Sequence, residues 1–178
     1  MFAGLLCDRP RALRHFLGIT ACALAAACSS PSSETPSYDA QAIQASDAGD
    51  QKAAIKLAAK EVAKFSTPDQ CSATKSLNCG TLALAYSSLA EYQILGGDRA
   101  AGESSFSSAK TALGWMDHRD RASATAMVYG DVSEAFWKVG DRARAVTVFK
   151  EGRAAGGDSY LFLVSAAQVA GHDAAKNR

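Results

Sequence analysis

Four of the five tyrosines stand eleven residues ahead of a glycine: Tyr38 before Gly49, Tyr86 before Gly97, Tyr129 before Gly140 and Tyr160 before Gly171. Asp follows the glycine at once in the first three cases, as Asp50, Asp98 and Asp141. At about 100° per residue, eleven residues return to within about 20° of the start, so each tyrosine and its glycine share one helical face three turns apart. Glycine takes the left-handed conformation that ends a helix without strain. The Asp behind it caps the free N–H groups of a following helix, and its charge suits that end of the dipole. Gly-Asp thus reads as stop, turn and start. The two central copies match further. Tyr86, Leu89, Glu91, Gly97-Asp98-Arg99-Ala100, Phe106 and Lys110 recur 43 residues later as Tyr129, Val132, Glu134, Gly140-Asp141-Arg142-Ala143, Phe149 and Arg153. A chain that repeats itself in this way stacks its units, and stacked units more often bind than catalyse.

Helices are expected at about 39–47, 51–65, 81–95, 99–114, 119–138, 142–154 and 159–170, with Asp117 or Asp120 capping the fifth and Asp158 the seventh. Leu82, Ala85, Tyr86, Leu89 and Gln93 follow the spacing of three and four that puts one mainly apolar face on the third. Many alanines and leucines with four prolines favour helix over sheet. Residues 66–80 contain Pro68, Asn78 and Gly80 and interrupt the pattern. They also hold Cys71 and Cys79. A disulfide between these two would close a nine-residue loop and stabilise by about 2.5 kcal/mol on the chain-entropy account; the alternative is two unpaired thiols in a loop.

The N-terminus has the pattern of an export signal. Arg9, Arg11, Arg14 and His15 precede a run of 12 apolar or small residues, Phe16 to Ala27. Ala25-Ala26-Ala27-Cys28-Ser29 then resembles a bacterial lipoprotein signal, in which the cysteine is lipidated and becomes the first residue of the mature chain. Ile19-Thr20-Ala21-Cys22 is a competing site with a shorter apolar core, and ordinary cleavage near Ala27 without lipid is a third reading. Cys28 is favoured by cysteine arithmetic. Of five cysteines, cleavage there discards Cys7 and Cys22, lipid takes Cys28, and Cys71 and Cys79 remain as a pair. Ser29, rather than Asp, suits the outer membrane. Residues 1–27 are thus a signal peptide, and 28–37, rich in Ser, Pro and Thr, form a flexible tether. The folded domain spans 38–175.

The repeated unit resembles the tetratricopeptide repeat, a pair of antiparallel helices. The residues that carry the likeness are Tyr86, Leu89, Ala90, Gly97, Gly102, Phe106 and Ala109 in one unit. In the next they are Tyr129, Val132, Ser133, Phe136, Gly140, Ala145 and Phe149. Gln93 departs from the pattern, standing where an aromatic is usual, and Gly114 and Gly157 stand where a closing proline is common. The resemblance implies an all-α fold of antiparallel hairpins stacked as a short solenoid. Phe106, Tyr129 and Phe136, with Phe149 and Tyr160, would then share one core.

It also implies a concave groove lined by the first helix of each unit. The positions facing it would be Leu84, Ser88, Glu91 and Ile94, then Met127, Asp131, Glu134, Trp137 and Lys138. Of these, Glu91, Ile94, Met127, Asp131, Glu134, Trp137 and Lys138 are the expected partner contacts. Paired glutamates would favour a peptide carrying Lys or Arg, although they could equally form a solvated face. Trp137 offers an aromatic anchor, or else packs against a neighbouring helix.

The net charge of +1 shows no basic field for nucleic acid. No nucleophile motif, phosphate loop or zinc motif is present, and no spacing points to a metal or cofactor. The expectation is a non-enzymatic, lipid-anchored scaffold on the periplasmic side of a bacterial outer membrane. It would bind another envelope protein or peptide, in assembling an envelope or secretion complex. The alternative is an accessory domain for cell-wall glycan or a small ligand, suggested by Trp115 and Trp137.

Overall fold

Each Gly-Asp pair turns the chain between two helices by the same set of hydrogen bonds. A computed structural model describes residues 36–157. Within them lie α1 (Tyr38–Asp47), α2 (Gln51–Phe65), α3 (Cys79–Leu95), α4 (Arg99–Gly114), α5 (His118–Lys138) and α6 (Arg142–Gly152), and no extended strand. A wider turn, Arg153–Gly157, follows. These bounds agree with the expected helices to within two residues. The signal segment, Cys28, most of the tether, and the seventh helix with Tyr160 lie outside the described residues.

Gly49, Gly97 and Gly140 have φ of 82°, 87° and 85°, the left-handed region expected of them. At the central turn the Gly97 N–H donates to the Ile94 carbonyl at 3.0 Å and the Asp98 N–H to the Gln93 carbonyl at 2.8 Å. Asp98 Oδ1 then accepts from the Ala101 N–H at 3.0 Å. Asp98 therefore closes one helix with its backbone and opens the next with its side chain. Asp50 and Asp141 do the same. Asp117 takes the corresponding place before α5.

Helix α3 is buried on more than one face. Leu82, Ala83, Ala85, Leu89, Ala90, Tyr92 and Ile94 are all withdrawn from solvent, the mark of a helix surrounded by others. It packs against α2, α4 and α5, and α5 packs in turn against α6. Phe106 and Tyr129 meet edge to face, with ring centroids 5.1 Å apart. They sit in one core with Phe136 and Phe149. Gln93 is held by a hydrogen bond from the Ser105 hydroxyl, 2.7 Å, so a polar contact between α3 and α4 fills the place where an aromatic was looked for. Tyr38 is 40% exposed and does not plug the core as Tyr129 does.

Two ionic contacts tie α4 to the start of α6. Arg144 Nε and Nη2 clasp Glu103 Oε1 and Oε2 at 2.7 and 2.9 Å. That hydrogen bonding holds the Glu103 carboxyl below the usual range against the opposing effect of burial. Arg99 reaches Asp141 at 2.6 Å. In the 66–80 segment Cys71 and Cys79 are joined by a disulfide.

Candidate functional site

The first half of α3 and the middle of α5, with one residue each from α1 and α2, line a cleft of about 260 Å³. Helix α3 supplies Thr81, Leu84, Ala85 and Ser88, and α5 supplies Met127 and Asp131. The remaining wall is Asp39 from α1 and Glu61 from α2. Three acidic residues thus line one concavity together with apolar side chains. Among the described residues no group of three or more acidic, His or Cys side chains is placed to hold a metal ion.

The carboxylates differ in environment. Asp131 has its carboxyl pushed up to about 7, first by burial and then by repulsion from Glu91. Ser87 and Lys138 oppose the shift, and Asp39 adds to it. The Ser87 hydroxyl lies 3.2 Å from the Val128 carbonyl and 3.4 Å from Asp131 Oδ2. Glu61 contacts Lys64 at 3.9 Å through Oε1. Its other oxygen, Oε2, is buried and has no hydrogen-bond partner among the described residues. A buried carboxylate oxygen without a donor is costly, and a cation entering the cleft would relieve that cost.

The expected contact residues divide into three groups. Met127 and Asp131 line the cleft, as do Leu84 and Ser88; Met127 is 53% exposed and stands as an apolar lip. Glu91 and Lys138 face one another across α3 and α5, Nζ to Oε1 3.3 Å. Lys138 therefore offsets the Glu91 charge. Ile94 is a correction. It is only 2% exposed and packs on α4 at Gly102, where a Cβ would fall 2.5 Å from Ile94 Cγ1. The missing side chain at Gly102 draws Ile94 inward, so it is a core residue. Trp137 is partly buried against the core and carries the Arg142 guanidinium 5.0 Å from its ring centre. Glu134 is outside the cleft lining and is engaged within the fold.

Asp39 and Glu61 were not anticipated. Asp39 has a local explanation in the first turn of α1, where an acid suits the helix dipole. Glu61 reads as an ordinary polar position on an amphipathic helix. Their sharing a cleft with Asp131 depends on helices far apart in the chain and leaves no local trace.

The class that these observations define is an all-helical protein with glycine-aspartate turns and an acidic cleft. No protein-family model matches the chain, and no curated protein and no solved structure matches it.

Proposed function

We propose that this protein is a lipid-anchored periplasmic scaffold built from tetratricopeptide-like hairpins. It holds a Lys or Arg side chain of a partner protein or peptide in the acidic cleft. The carrying observation is that Asp39, Glu61 and Asp131 line one concavity together with Leu84 and Ala85. Such a side chain has an apolar stem and a cationic head. The stem matches Leu84, Ala85 and the Met127 lip, and the head matches carboxylates that are under-partnered in the free protein. An arriving charge would draw Asp131 into its ionised form and give Glu61 Oε2 a donor.

The export pattern, with Cys28 as the lipidated residue, supports a place on the periplasmic side of the outer membrane. The Cys71–Cys79 disulfide suits an oxidising compartment. Recurrent Gly-Asp turns support stacked hairpins.

The test is a titration of a labelled Lys-bearing hexapeptide into the mature domain by fluorescence anisotropy. Binding should weaken with added salt, and the pair Glu61→Gln, Asp131→Asn should lower affinity at least about tenfold. Equal binding of a norleucine peptide, or indifference to both substitutions, would refute the reading. In the native host, intact mass of the mature protein should show acyl chains that Cys28→Ser removes.

A further inference from the structure

A second cleft, of about 380 Å³, shares no lining residue with the acidic one. Its volume falls in the range of roughly 300–1,000 Å³ typical of small-molecule sites. Leu82 and Tyr86 of α3 form one side, and Ser108 and Thr111 of α4 another. Trp115, just past the end of α4, is 38% exposed and lines the same cleft. The third side is the disulfide loop, through Ser66, Pro68, Cys71 and Ser72.

The loop wall is held in place. Cys71 is bonded to Cys79, the Asn78 N–H donates to the Gln70 carbonyl at 3.0 Å, and Ser72 and Lys75 exchange backbone hydrogen bonds at 2.9 and 3.1 Å. The Asn78 side-chain amide also donates to the Gln70 side chain. A wall ordered before the ligand arrives spares the cost of ordering it on binding.

No charged side chain lines this cleft, while hydroxyls surround it. Ser108 and Thr111 donate to the Ser104 and Ser107 carbonyls of their own helix, at 3.2 and 3.1 Å, which leaves their oxygens free to accept. The Ser66 and Tyr86 hydroxyls have no hydrogen-bond partner among the described residues and remain available to donate. The absence of a cation or anion from the lining disfavours phosphates, nucleotides and amines. A wholly apolar ligand would strip water from these hydroxyls and return nothing. A sugar ring answers both conditions, since it carries hydroxyls at its edge, an apolar C–H face and no charge.

We propose that this cleft binds a short neutral saccharide. Trp115 provides the surface for the apolar ring face, and Ser66, Tyr86, Ser108 and Thr111 provide the hydrogen-bonding edge. The Cys71–Cys79 loop is the third wall. The site is independent of the acidic cleft.

The experiment is isothermal titration calorimetry of the mature domain, disulfide intact, with tri-N-acetylchitotriose and with maltotriose. At least one should bind with a Kd on the order of 1 mM or tighter. Trp115→Ala should weaken that binding at least about tenfold. Ser108→Leu, which fills the cleft from α4, should do the same. Unaltered far-ultraviolet circular dichroism checks that both variants fold. The Cys71→Ser, Cys79→Ser double variant, kept below its unfolding temperature, should also bind more weakly. No heat from either sugar at about ten times that Kd overturns the proposal. So does full affinity in both cleft variants, and full affinity without the disulfide overturns the loop as a wall.

Discussion

Arg99 Nη1 lies 2.6 Å from Asp141 Oδ2, so the arginine of one Gly-Asp-Arg turn grips the aspartate of the next. The other oxygen of Asp141 caps α6 at the Arg144 N–H, 3.1 Å. One carboxylate thus starts a helix and ties it to the preceding pair. The first turn lacks this link because Gln51 stands where Arg99 does, and its amide donates back to Ser46 at 3.2 Å.

Asp141→Ala should cost about 1–2 kcal/mol, mostly through loss of the cap. Asp141→Asn keeps an acceptor for the Arg144 N–H and loses only an ionic contact to an arginine that is largely solvated. Its cost should be below about 1 kcal/mol. Urea denaturation of the two variants side by side measures the difference, and equal losses would show that the ion pair outweighs the cap.

Gly102→Ala should destabilise although alanine is the better helix former. The added Cβ would meet Ile94 Cγ1 at 2.5 Å and the Ala90 carbonyl oxygen at 3.2 Å. The backbone oxygen cannot swing away, so overpacking of about 1–3 kcal/mol exceeds a propensity gain of about 1 kcal/mol. Gly114→Ala meets nothing within 4 Å and should instead stabilise by up to about 1 kcal/mol. Opposite shifts in Tm are expected.

Asp131 makes stability depend on pH. Its carboxyl moves from an ordinary 3.8 to about 7 in the fold, so the folded state retains a proton that the unfolded state releases. The stability contributed is complete below about pH 4 and disappears as pH rises through 7. Asp131→Asn should therefore be more stable than the parent at pH 8, by on the order of 1–3 kcal/mol for this partly exposed group. The two should coincide near pH 4. Chemical denaturation at both values decides it, and a gap independent of pH would show that Asp131 titrates normally.

Removing the disulfide should cost about 2.5 kcal/mol for its nine-residue loop. The Cys71→Ser, Cys79→Ser variant should show faster backbone amide exchange across 66–78 than across α3, because the constraint is local. Uniform acceleration through every helix would mean that the loop is integral to global folding.

The repeated Gly-Asp turns were readable from sequence because every part of them is local. The glycine φ, the backbone closures and the Asp cap all involve residues within five positions of one another, as at Gly97 and Asp98. The Cys71–Cys79 bond was one of two readings open in the sequence and came from counting cysteines; the structure joins them across eight positions. Ile94 was assigned to a groove because the repeat resemblance aligns positions and is blind to depth. Its burial follows from the gap at Gly102, on the next helix. The Glu91–Lys138 pair spans 47 positions, and spacing within either helix does not reveal it.

By itself the sequence determined where residues 38–152 are helical and where they turn, since these follow from backbone preference and burial of oily surface. Only the tertiary structure decided that Asp39, Glu61 and Asp131 meet in one cleft and that hydroxyls, an indole and a disulfide loop enclose another. Those assemblies depend on how whole helices settle against each other, a matter of packing volumes summed over distant parts of the chain.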